Sequence, residues 1–416
     1  MAVVKHRCLV LIADGLGDLP IPELGGRTPL EAAFTPHLDR LASTGEYGQL
    51  DPLAPGQTPN TDSGTGMLMG LPPSQADLLR RGSVEAAGAG RVLDKGEIAV
   101  RANFATVEPG DQGLVVTDRR AGRIGSGVAQ LVDALDGLDL GGGVHAELQP
   151  TEQHRAVLVL SGGDLQPTIT DTDPGDGPLP LPLPPSRACA PGGERAADKL
   201  NAFIAAAHER LRDHPLNQRR RAAGKPPANG IITRGTGGAV SLDNRVNALG
   251  LRAALVSGCN TVRGLGRLFG FSILQDPRFT ADSATDIDAK IAVALEALVN
   301  CDIVFLHIKA PDLHAHDRDP AGKRDVIERL DAALAPLMDR DLVIACAADH
   351  TTDSNTGFHT ADPVPALLHK PGMTPAGNGV KFGEDACRSG TMPRQDSAAF
   401  LLRVLAAMGV KGTPPE

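Results

Sequence analysis

Residues 9–13 (LVLIA) form an apolar run with no polar alternation, and it stops directly on Asp14-Gly15. A short, unbroken aliphatic stretch of this kind reads as a strand buried on both faces, as in a parallel sheet covered by helices. Parallel strands need crossovers, and the chain supplies them. Apolar runs recur at 230–233 (GIIT), 253–256 (AALV), 303–308 (IVFLHI) and 342–347 (LVIACA). Helical patterns over 195–212, 286–299, 322–338 and 395–408 lie between or after them. Residues 35–43 read as an earlier helix, with Thr35 at the N-cap and Pro36 at the first helical position. This alternation predicts an α/β fold, a mostly parallel sheet flanked by helices.

At 416 residues the chain exceeds the ~250–300 beyond which single cores usually split, so a second, smaller domain is expected. Residues 84–165 carry short strand-like pieces, such as 99–106 and 157–160. The Pro/Gly-rich stretch 171–191 follows and excludes a regular helix or central strand. The expected division is a core made of 1–83 and 193–416, with an α+β domain at 84–192 inserted into it. A net charge of −9 argues against nucleic acid as a partner. No stretch approaches the ~20 apolar residues of a membrane span. The short apolar part of the N-terminus reads as a strand rather than a signal sequence. Six cysteines without a CxxC suggest neither a disulfide scaffold nor a thiolate zinc site. The expectation is a cytoplasmic enzyme, with homo-oligomerisation left open.

Several polar groups follow these strands, where open α/β sheets place their ligands. Asp14 ends the first run. Asp312 and His316 follow the 303–308 run in HIKAPDLHAHD, and Asp349 and His350 follow the 342–347 run, with His359 nearby. A lone strand-end Asp is often only a cap or turn former, but the joint placement points to metal. Carboxylate oxygens with imidazole nitrogens suit Zn²⁺, Mn²⁺ or Co²⁺ better than Ca²⁺, Mg²⁺ also being admissible, and the set is enough for two divalent ions.

The segment 55–70, PGQTPNTDSGTGMLMG, is a turn leading into a short apolar helix. A hydroxyl at a helix N-terminus beside a metal can attack phosphorus while amides hold the anion. Thr61, Ser63 and Thr65 are not separable on chemistry alone. Arg101 in VRANFAT, Arg119, Arg120 and Arg123 in DRRAGR, and Arg234 in TRGTGG are candidates for binding phosphate or carboxylate oxygens.

Segments running nearly end to end resemble the archaeal-type cofactor-independent phosphoglycerate mutases of the alkaline phosphatase superfamily. They include ADGLGDLP, GRTPLEAAFTPHLDRLA, RANFATVE, DRRAGRI, HPLNQRRRAAGKPPANGIITRG, HIKAPDLHAHD and ADHTTDSNTGFHTADPVP. The resemblance implies an alkaline-phosphatase-like fold whose inserted domain acts as a lid, and a small phosphorylated carboxylate as substrate. It implies one metal on Asp14, Asp349, His350 and the nucleophile, and another on Asp312, His316 and His359. Lys309 would contact the substrate phosphate. Where the family reads GSDTAH this chain reads NTDSGT. Thr61 then takes the nucleophile's place, Ser63 is the alternative, and Thr65 stands where the family has His. The implied activity is interconversion of 2- and 3-phosphoglycerate through a phosphothreonine; the alternative is a divergent metal-dependent phosphohydrolase or phosphotransferase on another phospho- or phosphonocarboxylate.

Overall fold

The computed structural model describes residues 4–111, 113–175, 177–373 and 379–410. The chain divides into two compact units, one built from the chain up to Asp77 and from Leu242 onward, the other from Leu78–Ser241. Among the described residues, no helix is long and apolar enough to cross a membrane.

The first unit is built on an eight-stranded sheet. Across it the strands run Ser272–Leu274, Ala253–Val256, Ile303–Ile308, Arg7–Ala13, Leu342–Ala347, Val364–His369, Glu46–Asp51 and Gln395–Asp396. The 253–256, 303–308 and 342–347 strands coincide with the apolar runs, and the first begins slightly earlier, at Arg7. Cys8 to Ala13 pair in parallel with Ile303 to Ile308, and Arg7 to Ile12 with Leu342 to Ala347. This register delivers Asp14, Lys309 and Asp349 to the same carboxyl edge. Val364–His369 is antiparallel to both its neighbours, so the sheet is mostly parallel, as expected.

Three helices of the first unit start where aspartates cap them. Asp286 accepts from the Ala289 amide, Asp319 from Gly322 and Asp396 from Ala399, each cap contributing about 1 kcal/mol. The helix Pro36–Ser43 begins as expected, but Thr35 does not cap it with its side chain. The Thr35 hydroxyl instead meets the Asp39 carboxylate at 3.2 Å and accepts from Lys381 at 2.6 Å.

The second unit holds a seven-stranded sheet centred on Ile98–Gly110. That strand pairs antiparallel with Gly113–Asp118, Arg155–Ser161 and Gly230–Gly238. The helix Glu194–Leu211 buries Leu200, Phe203, Ala207 and Leu211 in one cluster with Val100, Phe104 and Leu158. The inserted unit therefore spans Leu78–Ser241 rather than 84–192, and the GIIT strand and the helix after the Pro/Gly-rich stretch belong to it. The physical reason is non-local pairing, Ala105 opposite Gly230 through Ile98 opposite Gly238. Described residues of the Pro/Gly-rich stretch are tied into this unit by Thr172, whose amide donates to Thr233 O at 2.9 Å, and by Asn201, which bonds both backbone groups of Ser186.

Where the chain leaves and re-enters the first unit, its two crossings are tied together. The Asp243 amide donates to Gln75 Oε1 at 2.8 Å, Gln75 Nε2 donates to Asp243 Oδ2 at 2.6 Å, and the Arg245 amide donates to Gly70 O at 2.9 Å.

A buried ion pair fixes the loop after Asp14. Lys323, fully buried, donates to Asp18 Oδ2 at 2.7 Å, Gly17 O at 3.0 Å and Thr352 O at 3.1 Å. Asp18 also accepts from the amide and hydroxyl of Ser354. With every donor and acceptor paired, the charges are tolerated, whereas removing one partner strands the other away from water. Lys323→Met is expected to lower the unfolding free energy by about 3 kcal/mol, read as a shifted urea midpoint; an unchanged midpoint would contradict this role.

Candidate metal centre

At the carboxyl edge of the first unit's sheet, Asp14, Asp312, Asp349, His307 and His350 are all fully buried. Their ligand atoms fall into overlapping sets, Asp14 with His307 and Asp349, and Asp14 with Asp312 and His350, the atoms of each lying within 4.8 Å of one another. Asp312, His316 and His359 form a further set within the same limit, the grouping expected for one of the two metals. The residues of the other expected grouping also lie close together, His350 Nε2 being 3.2 Å from Asp14 Oδ1 and 3.6 Å from Asp349 Oδ2, and His307 is a further neighbour of Asp14 and Asp349. His307 was not singled out in the sequence. Its signal was a titratable residue inside a strand otherwise apolar on both faces.

The histidines are aimed by their backs. His316 Nδ1 donates to Gly357 O at 2.8 Å and His359 Nδ1 to Pro59 O at 3.0 Å. Their Nε2 atoms then face each other at 3.2 Å, and face Asp312 at 3.3 and 3.4 Å. With both Nδ1 atoms protonated, two neutral rings would set lone pair against lone pair. A cation held between these nitrogens and the carboxylate satisfies all three, so the donor set fits a divalent metal.

Lys309 is the charge the chain itself supplies here. Its ammonium lies 2.9 Å from Asp14 Oδ1, 2.7 Å from Asp312 Oδ2 and 3.0 Å from the Thr61 hydroxyl. Burial works to lower the Lys309 pKa, but Asp14 and Asp312 hold it well above the ordinary lysine value. Burial likewise works to raise the Asp14 and Asp312 carboxyls. The nearby Lys309 ammonium, the largest opposing influence on each, brings both well down. Asp349 escapes this compensation: burial, then the nearby Asp14 charge, pushes it up. A further positive charge at this edge would favour its ionised form.

The helix Thr61–Leu68 brings hydroxyls to the same edge. Thr61 Oγ1 lies 3.0 Å from Lys309 Nζ and 3.5 Å from His350 Nε2. Ser63 turns the other way, accepting from the Asn60 amide at 3.0 Å and donating to Asn60 O at 3.1 Å. Thr65, fully buried, donates to Asp349 Oδ2 at 2.9 Å, and the Gly15 amide donates to Asp349 Oδ1 at 3.1 Å.

The arginines lie in the second unit. Arg101 is 4% exposed and sits opposite Arg234 on the paired strand. Burial, then Arg81, Arg155 and Arg234, pushes its pKa well below the usual arginine value. Arg119 pairs with Asp173 at 2.7 Å, and Arg234 lies 3.9 Å from the same carboxylate. Arg120 and Arg123 are exposed, and Arg123 has a left-handed backbone (φ 52°); Arg120 bears on the buried His154 alongside Arg155 and Arg101, near the group around Arg101. Arg81 and Arg155 join that group without having been expected. Only strand register reveals Arg155, which sits opposite Asn103, two residues along from Arg101.

A family model described as 2,3-bisphosphoglycerate-independent phosphoglycerate mutase matches residues 42–217. A Methanopyrus kandleri protein of that name is 39% identical over 373 residues, covering 88% of this chain and 88% of its own. Another, from Methanoculleus marisnigri, is 38% identical over 395 residues, covering 94% and 95%. The chain belongs to this phosphoglycerate mutase family. Among solved structures, a Pyrococcus horikoshii protein matches with a TM-score of 0.83 at 31% identity, over 100% of both chains. A cofactor-independent phosphoglycerate mutase from Thermoplasma acidophilum matches with a TM-score of 0.69 at 32% identity, over 97% of this chain and 100% of its own.

Within this family member, the departure NTDSGT has a structural account. Thr65 stands where the resemblance expects His, and its hydroxyl reaches a carboxylate. Gly64 lets it do so: a Cβ there would stand 2.0 Å from the backbone oxygen of Asp349, so the helix can approach the strand end only without one. Gly64→Ala is expected to cost about 1–3 kcal/mol of stability and to weaken Mn²⁺ uptake together with it, measured by thermal denaturation and titration calorimetry. Wild-type values in both would show that the helix is not held against this strand end.

Proposed function

We propose that the chain interconverts 2-phosphoglycerate and 3-phosphoglycerate, with Thr61 carrying the phosphoryl group between the two hydroxyls. The observation that supports Thr61 is its hydroxyl, held between the Lys309 ammonium and His350, while Ser63 is spent on the helix start. Family membership supports the reaction.

Two divalent cations, Mn²⁺, Zn²⁺ or Co²⁺ by donor chemistry, would neutralise phosphoryl oxygens and lower the hydroxyl's pKa when bound. One would be held by Asp14, Asp349, His350 and Thr61, the other by Asp312, His316 and His359. Thr61 Oγ attacks phosphorus, the Thr–O–P bond forms, and the bond to the glycerate oxygen breaks. The proton lost by Thr61 ends on the departing glycerate hydroxyl. After the glycerate turns, its other hydroxyl oxygen attacks phosphorus, gives up its proton, and frees Thr61 to take one back. No net proton or water is consumed. Lys309, whose ammonium lies 3.0 Å from the Thr61 hydroxyl, acts on the negative charge that develops there. We assign Arg101, Arg119 and Arg234, with Arg81 and Arg155, to binding anionic substrate groups; a mutase must also keep water from the phosphothreonine, whose hydrolysis would make the enzyme a phosphatase.

Incubation with 3-phosphoglycerate and Mn²⁺ is expected to yield 2-phosphoglycerate with little free phosphate. Predominant phosphate release would favour a hydrolase instead. Thr61→Ala is expected to reduce turnover by at least ~10³-fold, as loss of a nucleophile does, whereas Ser63→Ala retains a measurable fraction. The reverse ranking would place the phosphoryl group on Ser63. Exhaustive chelation is expected to abolish turnover and Mn²⁺ to restore it; turnover that survives chelation would remove the metals from the reaction.

A further inference from the structure

Thr352 lies in the short strand Thr351–Asp353 and is fully buried. Its backbone is fixed at both ends, the amide donating to Gly17 O at 3.0 Å and the carbonyl accepting from Lys323 at 3.1 Å. The hydroxyl stands 2.7 Å from Asp312 Oδ1 and 2.9 Å from His350 Nδ1. Gly15 leaves room for it, since a Cβ there would lie 2.7 Å from this oxygen and 2.8 Å from Asp312 Cβ.

A hydroxyl has one proton to give, and an ionised carboxylate can only accept. A carboxylate that ligates a divalent cation is ionised, and on the two-metal reading Asp312 is one. The Thr352 proton therefore goes to Asp312 Oδ1. The 2.9 Å contact to His350 is a hydrogen bond only if Nδ1 carries a proton and the Thr352 oxygen accepts it. That leaves His350 Nε2, 3.2 Å from Asp14 Oδ1 and 3.5 Å from the Thr61 hydroxyl, as the nitrogen with a lone pair to offer. His316 and His359 reach the same state by donating Nδ1 to backbone carbonyls, which can only accept. At His350 the partner could play either part, and Asp312 decides which.

We infer that Thr352 is the positioning residue that couples the two cation sites, its hydroxyl fixing the tautomer of His350 at one and the orientation of Asp312 at the other. The inference rests on the two-metal reading above. Groups that orient metal ligands from behind typically change affinity by about 10- to 100-fold when removed. Because this one touches a ligand of each site, its loss weakens both affinities together.

The test is Zn²⁺ and Mn²⁺ titration of wild type, Thr352→Val and Thr352→Ser by calorimetry, with circular dichroism to verify folding. Nitrogen NMR of the Zn²⁺-loaded wild type reads the His350 tautomer. Wild type is expected to bind two ions, Thr352→Ser to stay within a few-fold, and Thr352→Val to lose about 10- to 100-fold at both sites. Wild type that binds no ion overturns the two-metal reading itself. Wild type that binds two ions with Thr352→Val unchanged, or with Thr352→Ser as weak as Thr352→Val, overturns the role of the hydroxyl alone. If Thr352→Val does not fold, the wild-type spectrum still decides, because an unprotonated His350 Nδ1 rules the inference out.

Discussion

Three carboxylates, Asp14, Asp312 and Asp349, are fully buried at one edge of the sheet, and the surrounding structure is organised by the charge they require. Buried charge is tolerated only when paired and hydrogen-bonded. Lys309 meets this need for Asp14 and Asp312 and leaves Asp349 with its pKa raised. The parallel register brings the carboxylates together. Backbone carbonyls and a threonine hydroxyl turn imidazole nitrogens towards them. Lys323 and Asp18, themselves a satisfied buried pair, hold the loop after Asp14 in place. Each support leaves the carboxylates with more lone pairs than the chain has protons to offer, which is the condition under which a divalent cation binds tightly.

The same economy separates the hydroxyls near the site. Ser63 is consumed by the helix start, Thr65 by Asp349, and Thr352 by Asp312 and His350. Thr61 alone among these four is directed at the Lys309 ammonium. Reactivity at such an edge depends on which hydroxyl is left uncommitted as much as on which is nearest to a cation.

The central parallel half of the first unit's sheet was legible because a strand buried on both faces has no room for polar residues, so LVLIA, IVFLHI and LVIACA announce themselves, and the polar residue that ends each run marks the edge. His307 was hidden by the same rule, as one polar letter inside an apolar word. The inserted unit was misjudged at its second boundary because composition is local and strand pairing is not: nothing near GIIT states that it lies beside Ile98–Gly110. The arginines were legible as residue types but not as a group, since Arg155 joins Arg101 only through register. Thr65 could be named as a hydroxyl and Thr352 was not singled out at all, because the identity of a hydrogen-bond partner is a tertiary fact.

The clasp between Gln75 and Asp243 bears on how the ligand-bearing sheet is assembled from two distant stretches of chain. It ties the stalks of a long excursion to each other within the first unit itself. The entropic penalty for closing such an excursion rises only with the logarithm of its length. The sheet is therefore largely indifferent to how much chain is spent between Asp77 and Leu242, and the spacing of Asp14 from Asp312 and Asp349 in sequence carries almost no information about their spacing in the site. What the excursion contains is free to be remodelled around a different anion without retuning the carboxylates.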